Sequence, residues 1–157
     1  MKKIVFLISI MGLLWASCQQ NQELIPYQLI PYRKGDKWGF CTPDKKMVVQ
    51  PKYDDAWSFS EGLAWVKLNG KWGFIDTTGK EIVTPKYDDA SSFQEGLAGV
   101  KLNVKVGFID TTGKEIVTPK YDYALYFSEG LAGVKLNGKY FYIKIFPDSK
   151  VVEYYEE

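Results

Sequence analysis

Carboxylates are the residues of this chain best placed to do chemistry. Glu61, Glu95 and Glu129 each precede a glycine at intervals of 34 residues, and Asp54, Asp88 and Asp122 each follow a tyrosine at the same interval. Paired carboxylates can act as general acid and base on a glycosidic bond, or hold calcium through hard oxygen ligands. An active site, however, needs one asymmetric constellation. A carboxylate that returns once per repeat behaves as a turn cap, so structural duty is expected first, calcium second and catalysis last.

Other reactive types are scarce. There is no histidine, which removes the commonest general base and the commonest metal ligand together. Of the two cysteines, Cys41 stands where later repeats have Ile75 and Ile109. That is an inward strand position, so a buried free thiol without a disulfide partner is expected. The serines and threonines have no base to activate them. The glycines sit in hairpin turns with no helix following, unlike a phosphate-binding loop. The formal charge is +1, spread evenly, with no basic run; nucleic-acid binding is not expected. No catalytic residue, metal or cofactor is therefore assigned.

Aromatic side chains offer a different chemistry. They make up 16% of the chain, and some break the repeat. Trp57 stands where other repeats have Ser91 and Leu125. Trp65 stands where they have Pro31, Gly99 and Gly133, and Tyr123 and Tyr126 replace Asp and Ser. Residues common to all units specify a fold, whereas unit-specific bulky aromatics can stack on sugars or anchor a protein partner. Trp57, Trp65, Tyr123 and Tyr126 are the candidate ligand-binding residues; packing on neighbouring units is the competing role. Val104 and Val106, in place of a hairpin Gly and a Trp, read as drift or local repacking.

The elements that must position these residues follow from the period of 34. Lys37-Trp38-Gly39-Phe40 returns from Lys71, from Lys105 as Lys-Val-Gly-Phe, and from Lys139 as Lys-Tyr-Phe-Tyr; Pro51-Lys52-Tyr53-Asp54 returns from Pro85 and Pro119. Phe59-Ser60-Glu61-Gly62-Leu63-Ala64 returns from Phe93 and Phe127. Each unit reads as three short strands. In the second, residues 63–68 alternate, with Ala64, Val66 and Leu68 on one face. Asn69-Gly70 suits a type I′ hairpin turn. Residues 72–76 form the next strand, Asp76-Thr77-Thr78-Gly79 the next turn, and residues 81–84 a third strand closed by Pro85. Phe93 should anchor the connection to the next unit. No stretch shows a useful helical period.

These signatures resemble the WG-repeat family of bacterial proteins, over residues 29–143. The resemblance implies an exported β-rich array and supplies no shared catalytic residue. The N-terminus carries a second resemblance. Lys2 and Lys3 precede an apolar run over residues 4–15, too short to span a bilayer comfortably, and Ala16-Ser17-Cys18 then resembles the lipobox of bacterial lipoproteins, although Trp15 stands where that family usually has an aliphatic residue. The resemblance implies lipidation of Cys18 as the mature N-terminus, and Gln19 after it implies outer-membrane sorting.

The expected organisation is a signal peptide over 1–17, a short tether over 18–28, and an all-β domain over 29–157. The domain divides into units 29–62, 63–96, 97–130 and 131–157, the first and last atypical as caps. Tandem antiparallel three-stranded units, about twelve strands, should form an open array, with a small closed propeller as the alternative. The expected function is a lipid-anchored, non-catalytic envelope module that binds protein or glycan. A structural spacer without a specific ligand comes second and a carboxylate-based glycan hydrolase third.

Overall fold

The structure is a computed structural model, and it describes residues 28–155; Cys18 and the segment before it lie outside the described residues. Among the described residues, fifteen strands fall into four antiparallel sheets. Sheet 1 holds β1 (Ile30–Lys34), β2 (Lys37–Cys41) and β3 (Met47–Tyr53). Sheet 2 holds β4 (Asp55–Ala56), β5 (Leu63–Leu68), β6 (Lys71–Asp76) and β7 (Glu81–Tyr87). Sheet 3 repeats this with β8 (Asp89–Ala90), β9 (Leu97–Leu102), β10 (Lys105–Asp110) and β11 (Glu115–Tyr121), and sheet 4 with β12 (Tyr123–Ala124), β13 (Leu131–Leu136), β14 (Lys139–Ile145) and β15 (Val151–Tyr154).

The all-β array of 34-residue units stands as expected, with one addition. A two-residue strand after each repeated Tyr-Asp pairs with the next sheet, as Asp55 pairs with Lys67 and Ala56 with Val66. The chain therefore leaves one sheet and enters the next across a single residue, Asp54, Asp88 or Asp122. Among the described residues no ladder joins sheet 1 to sheet 4.

The turns form as their residues dictate. Asn69 and Gly70 have φ of 52° and 78°, the left-handed pair that a type I′ hairpin needs. The Asp76 carboxylate accepts hydrogen bonds from the backbone N–H groups of Thr78 (2.9 Å) and Lys80 (3.0 Å). Pro85 behaves differently from the expectation that it ends a strand, because β7 runs through it to Tyr87. Trp72 pairs with Tyr87 and Phe74 with Val83, so Thr84, Pro85 and Lys86 together stand opposite Gly73. Within this bulge the missing N–H of proline costs no ladder hydrogen bond.

The bulge also explains the glycine of the Trp-Gly-Phe motif. A Cβ on Gly73 would lie 2.4 Å from the Val83 carbonyl oxygen and 2.7 Å from the Pro85 nitrogen, and Gly39 and Gly107 meet equivalent backbone atoms. In the last unit Phe141 takes this position, and the β14–β15 ladder runs in constant register from Tyr142–Tyr154 to Ile145–Val151. There the slot is open, and Phe141 fills it at 4% exposure.

The core lies between sheets. Phe40, Val49 and Tyr53 of sheet 1 meet Ala56, Phe59, Ala64, Val66 and Ile75 on the sheet 2 side, and the same positions meet between sheets 2 and 3 and between sheets 3 and 4. The motif phenylalanine of each unit packs edge-on against the connection phenylalanine of the next, with centroids 5.0 Å apart for Phe40–Phe59, 5.1 Å for Phe74–Phe93 and 4.9 Å for Phe108–Phe127. Cys41 is a buried free thiol. Among the described residues no sheet packs on the outer face of sheet 4, and Tyr140 and Tyr142 are exposed where Trp72 and Phe74 are buried. Tyrosine suits that end because its ring covers the sheet while its hydroxyl stays wet.

Candidate functional site

The recurring carboxylates prove to be the wiring between units. Lys37 is bound to Asp54 at 2.6 Å, and Lys71–Asp88 and Lys105–Asp122 repeat the pair. The second oxygen of Asp88 accepts from the Asn103 N–H and that of Asp122 from the Asn137 N–H, each at 2.8 Å. These bonds, the lysine bond foremost, hold the three aspartates below the ordinary carboxylate range. Glu61 accepts from the Gly96 N–H at 2.8 Å, and Glu95 from the N–H groups of Glu129 and Gly130 at 2.8 and 2.7 Å. One unit's glutamate thus caps the next unit's turn.

Sequence reasoning passed over a third set. Glu115 accepts from the Tyr87 hydroxyl at 2.8 Å and from Lys86 at 3.1 Å, which lowers its pKa. Burial raises the pKa of Tyr87. Glu81 and Glu153 meet Tyr53 and Tyr121 in the same way. The signal was in the sequence, as a glutamate five residues beyond the turn aspartate in the two middle units, but its partner lies a whole unit away. Among the described residues no group of three or more carboxylates, cysteines or histidines comes together as a metal site.

The four candidate aromatics separate into two pairs. Trp57 and Trp65 stack on each other with ring centroids 5.1 Å apart and planes at 13°, and Trp65 lies 4.5 Å from Trp72. The three indoles fill the rim of sheet 2 on the side facing sheet 3. Trp57 remains 52% exposed, and the Trp65 indole N–H is buried without a hydrogen-bond partner among the described residues. Tyr123 and Tyr126, at 50% and 64% exposure, stand apart from this stack and line a cleft between sheets 3 and 4.

That cleft is open to solvent and offers about 360 Å³. Its floor is built from Ser91, Gly99 and Val106, which are the counterparts of Trp57, Trp65 and Trp72 one unit earlier. All three tryptophan positions are small in sheet 3. The opposite wall compensates in part: Tyr123, Leu125 and Tyr126 replace Asp89, Ser91 and Ser92. The tyrosines line the cleft, half or more exposed, without filling it. Val106 therefore shrinks together with Ser91 and Gly99, which favours local repacking over drift at this position.

The same exchange releases a lysine. In the other units the basic residue of the first long strand rests on the ring at the motif tryptophan position: Arg33 over Trp38 at 5.8 Å, Lys67 over Trp72 at 5.4 Å, and Lys135 over Tyr140 at 4.9 Å. Such contacts are worth about 0.5–1 kcal/mol at exposed sites. Val106 offers Lys101 no ring, and Lys101 lines the cleft instead, directly across the ladder from Asp89.

Comparison with known proteins agrees with this repeat geometry. The model for the WG containing repeat matches residues 38–72, 72–105 and 107–140, well over half of the chain. The chain belongs to the WG-repeat family. All three WG matches begin within the repeated motif, at Trp38, Trp72 and Gly107, whose glycine the bulge demands. No curated protein matches the chain. Among solved structures, a selenomethionine-substituted virginiamycin B lyase from Staphylococcus aureus is similar, with 20% identity and a TM-score of 0.39 over 87% of this chain and 57% of that one. The WG-repeat chain thus spans little more than half the length of that lyase.

Proposed function

We propose that this WG-repeat protein is an exported, non-catalytic binding module. It is anchored to the outer membrane through a lipid on Cys18 and takes a protein or glycan ligand in the cleft between sheets 3 and 4. The observation that carries the reading is the coordinated loss of three large side chains at Ser91, Gly99 and Val106. It opens a cleft at positions that three stacked indoles fill in sheet 2. A spacer with no ligand has no use for such a cleft, whereas a binding module does. The carboxylates offer a hydrolase least support, since lysine, tyrosine and backbone N–H groups already engage most of them. The lipid rests on Ala16-Ser17-Cys18 following the apolar run.

Two experiments test the proposal. Radiolabelled palmitate should enter the wild-type protein and not Cys18→Ala; equal labelling would remove the anchor. Calorimetric titration of the micelle-held full chain with envelope glycans and purified envelope proteins should yield a ligand whose binding Gly99→Trp abolishes. A ligand that binds this variant as well as wild type would place the site elsewhere. The absence of any ligand would favour the spacer.

A further inference from the structure

The polar groups of the cleft narrow the ligand. Among the residues lining it there is one acid, Asp89, and one base, Lys101, paired across the β8–β9 ladder. With one charge of each sign, the lining itself favours neither an anionic nor a cationic ligand. One Asp89 oxygen accepts from the N–H of Ala90 at 2.9 Å. Neither residue forms an ion pair among the described residues, and Lys101 lacks the ring that holds its counterparts. An acceptor and a donor therefore stand side by side across the ladder, and Tyr123 and Tyr126 line the same cleft. Ser91 is already engaged, its Oγ accepting from the Gly99 N–H at 2.9 Å.

Resting on the binding reading above, we propose that the cleft is a subsite for a neutral sugar ring, the pyranose unit of an uncharged oligosaccharide. A pyranose has an apolar C–H face that stacks on tyrosine, and hydroxyls that both donate and accept. Free donors and acceptors of opposite charge on one rim satisfy such hydroxyls. An indole or phenyl side chain from a protein partner would fill the floor but leave Asp89 and Lys101 desolvated against it, which is unfavourable. The volume of about 360 Å³ lies at the small end of the roughly 300–1,000 Å³ typical of ligand sites, which suits one or two rings.

The test is calorimetric titration of the full-length protein in detergent micelles with maltotriose, cellotriose and chitotriose. Trigalacturonate and the cationic glucosamine trimer serve as charged comparisons. At least one neutral trimer should bind, and both charged ones should bind more weakly by about tenfold or more, a difference of 1.4 kcal/mol. Gly99→Trp, which refills the floor as Trp65 does in sheet 2, should abolish binding. Tyr126→Ser, which restores the residue type of Ser92, should weaken it about thirtyfold with an unchanged melting curve. Tyr126 is exposed, so this variant remains informative even if Gly99→Trp fails to fold. A charged trimer that binds as well as the neutral ones overturns the proposal, and so does failure of all three neutral trimers. If trigalacturonate or a tryptophan-containing peptide then binds wild type and not Gly99→Trp, the sugar assignment falls while the cleft remains a binding site. If every probe binds the two variants unchanged, both fall.

Discussion

Gly73→Ala should be among the most damaging single changes in the chain, although it adds one methyl group. The new Cβ would stand 2.4 Å from the Val83 carbonyl oxygen, 2.7 Å from the Pro85 nitrogen and 2.9 Å from the Pro85 Cα. All three are backbone atoms of the bulged strand, and none can swing aside as a flexible side chain does. Relief requires moving β7 away from β6, which disturbs the Trp72–Tyr87 and Phe74–Val83 pairings and the inter-sheet core they carry. Overpacking of this kind costs about 1–3 kcal/mol and occasionally more; with backbone on every side, about 3 kcal/mol is expected. For a domain of this size that lowers Tm by about 10 °C, read by thermal circular dichroism. Gly99→Ala is the control. Its Cβ would meet only the Ser91 hydroxyl at 3.3 Å and a Phe108 ring carbon at 3.9 Å, and removing glycine from a strand gains roughly 0.5–1 kcal/mol. Its Tm should match wild type or exceed it. Equal melting of Gly73→Ala and wild type would refute the steric account of the Trp-Gly-Phe glycine.

Three further outcomes are expected. Val104 holds φ of 63° at the hairpin position that is glycine at Gly70 and Gly138. Because left-handed geometry costs a side-chain-bearing residue about 1–2 kcal/mol, Val104→Gly should raise the denaturation midpoint, and a lower one would refute the strain. Trp72, 7% exposed and in contact with Trp65, should cost about 3–5 kcal/mol when replaced by alanine; an unshifted urea curve would show that the stack carries no stability. The folded-state pKa of Asp54, Asp88 and Asp122 lies below the ordinary 3.8. Their contribution is therefore complete above 3.8 and lost as pH falls through the folded values. Tm should hold steady down to about pH 5 and drop below about pH 4, and a triple Asp→Asn variant should blunt the drop; an equal drop would place acid sensitivity elsewhere.

Much of this fold is legible without coordinates. Asn69-Gly70 and Asp76-Thr77-Thr78-Gly79 have side chains that make their turn geometries nearly compulsory, and the alternation of Ala64, Val66 and Leu68 names a buried face. Two features are not legible, for physical reasons. A strand of two residues such as Asp55–Ala56 is too short to show a period of two, and exists because the neighbouring sheet offers it a ladder. Pro85 reads as a strand end because proline cannot donate. The bulge that keeps it inside β7 becomes apparent only when the glycine one strand away is set beside it. Neither Gly73 nor Pro85 explains itself alone, yet each is the steric reason for the other, and Phe141 with its unbulged ladder shows what happens when both are absent.

The candidate site was half legible, and the reason lies in what a repeat hides. Trp57 and Trp65 attract attention because they are large departures, yet they complete a stack with Trp72 and leave little room between sheets. Gly99 and Ser91 attract none, since small residues look like the default state of the scaffold, and Val106 read by itself says nothing of a cleft. Each loss is unremarkable alone. Together they remove three indoles from one place and take away the ring on which Lys101 would otherwise rest, while Tyr123 and Tyr126 rise on the facing wall. In an array whose units wire to one another through identical lysines, aspartates and glutamates, open volume arises where neighbouring positions shrink together. Refilling one of them, Gly99, should close the cleft while leaving that wiring intact, so a protein with Trp at position 99 should keep its acid melting profile and lose its ligand.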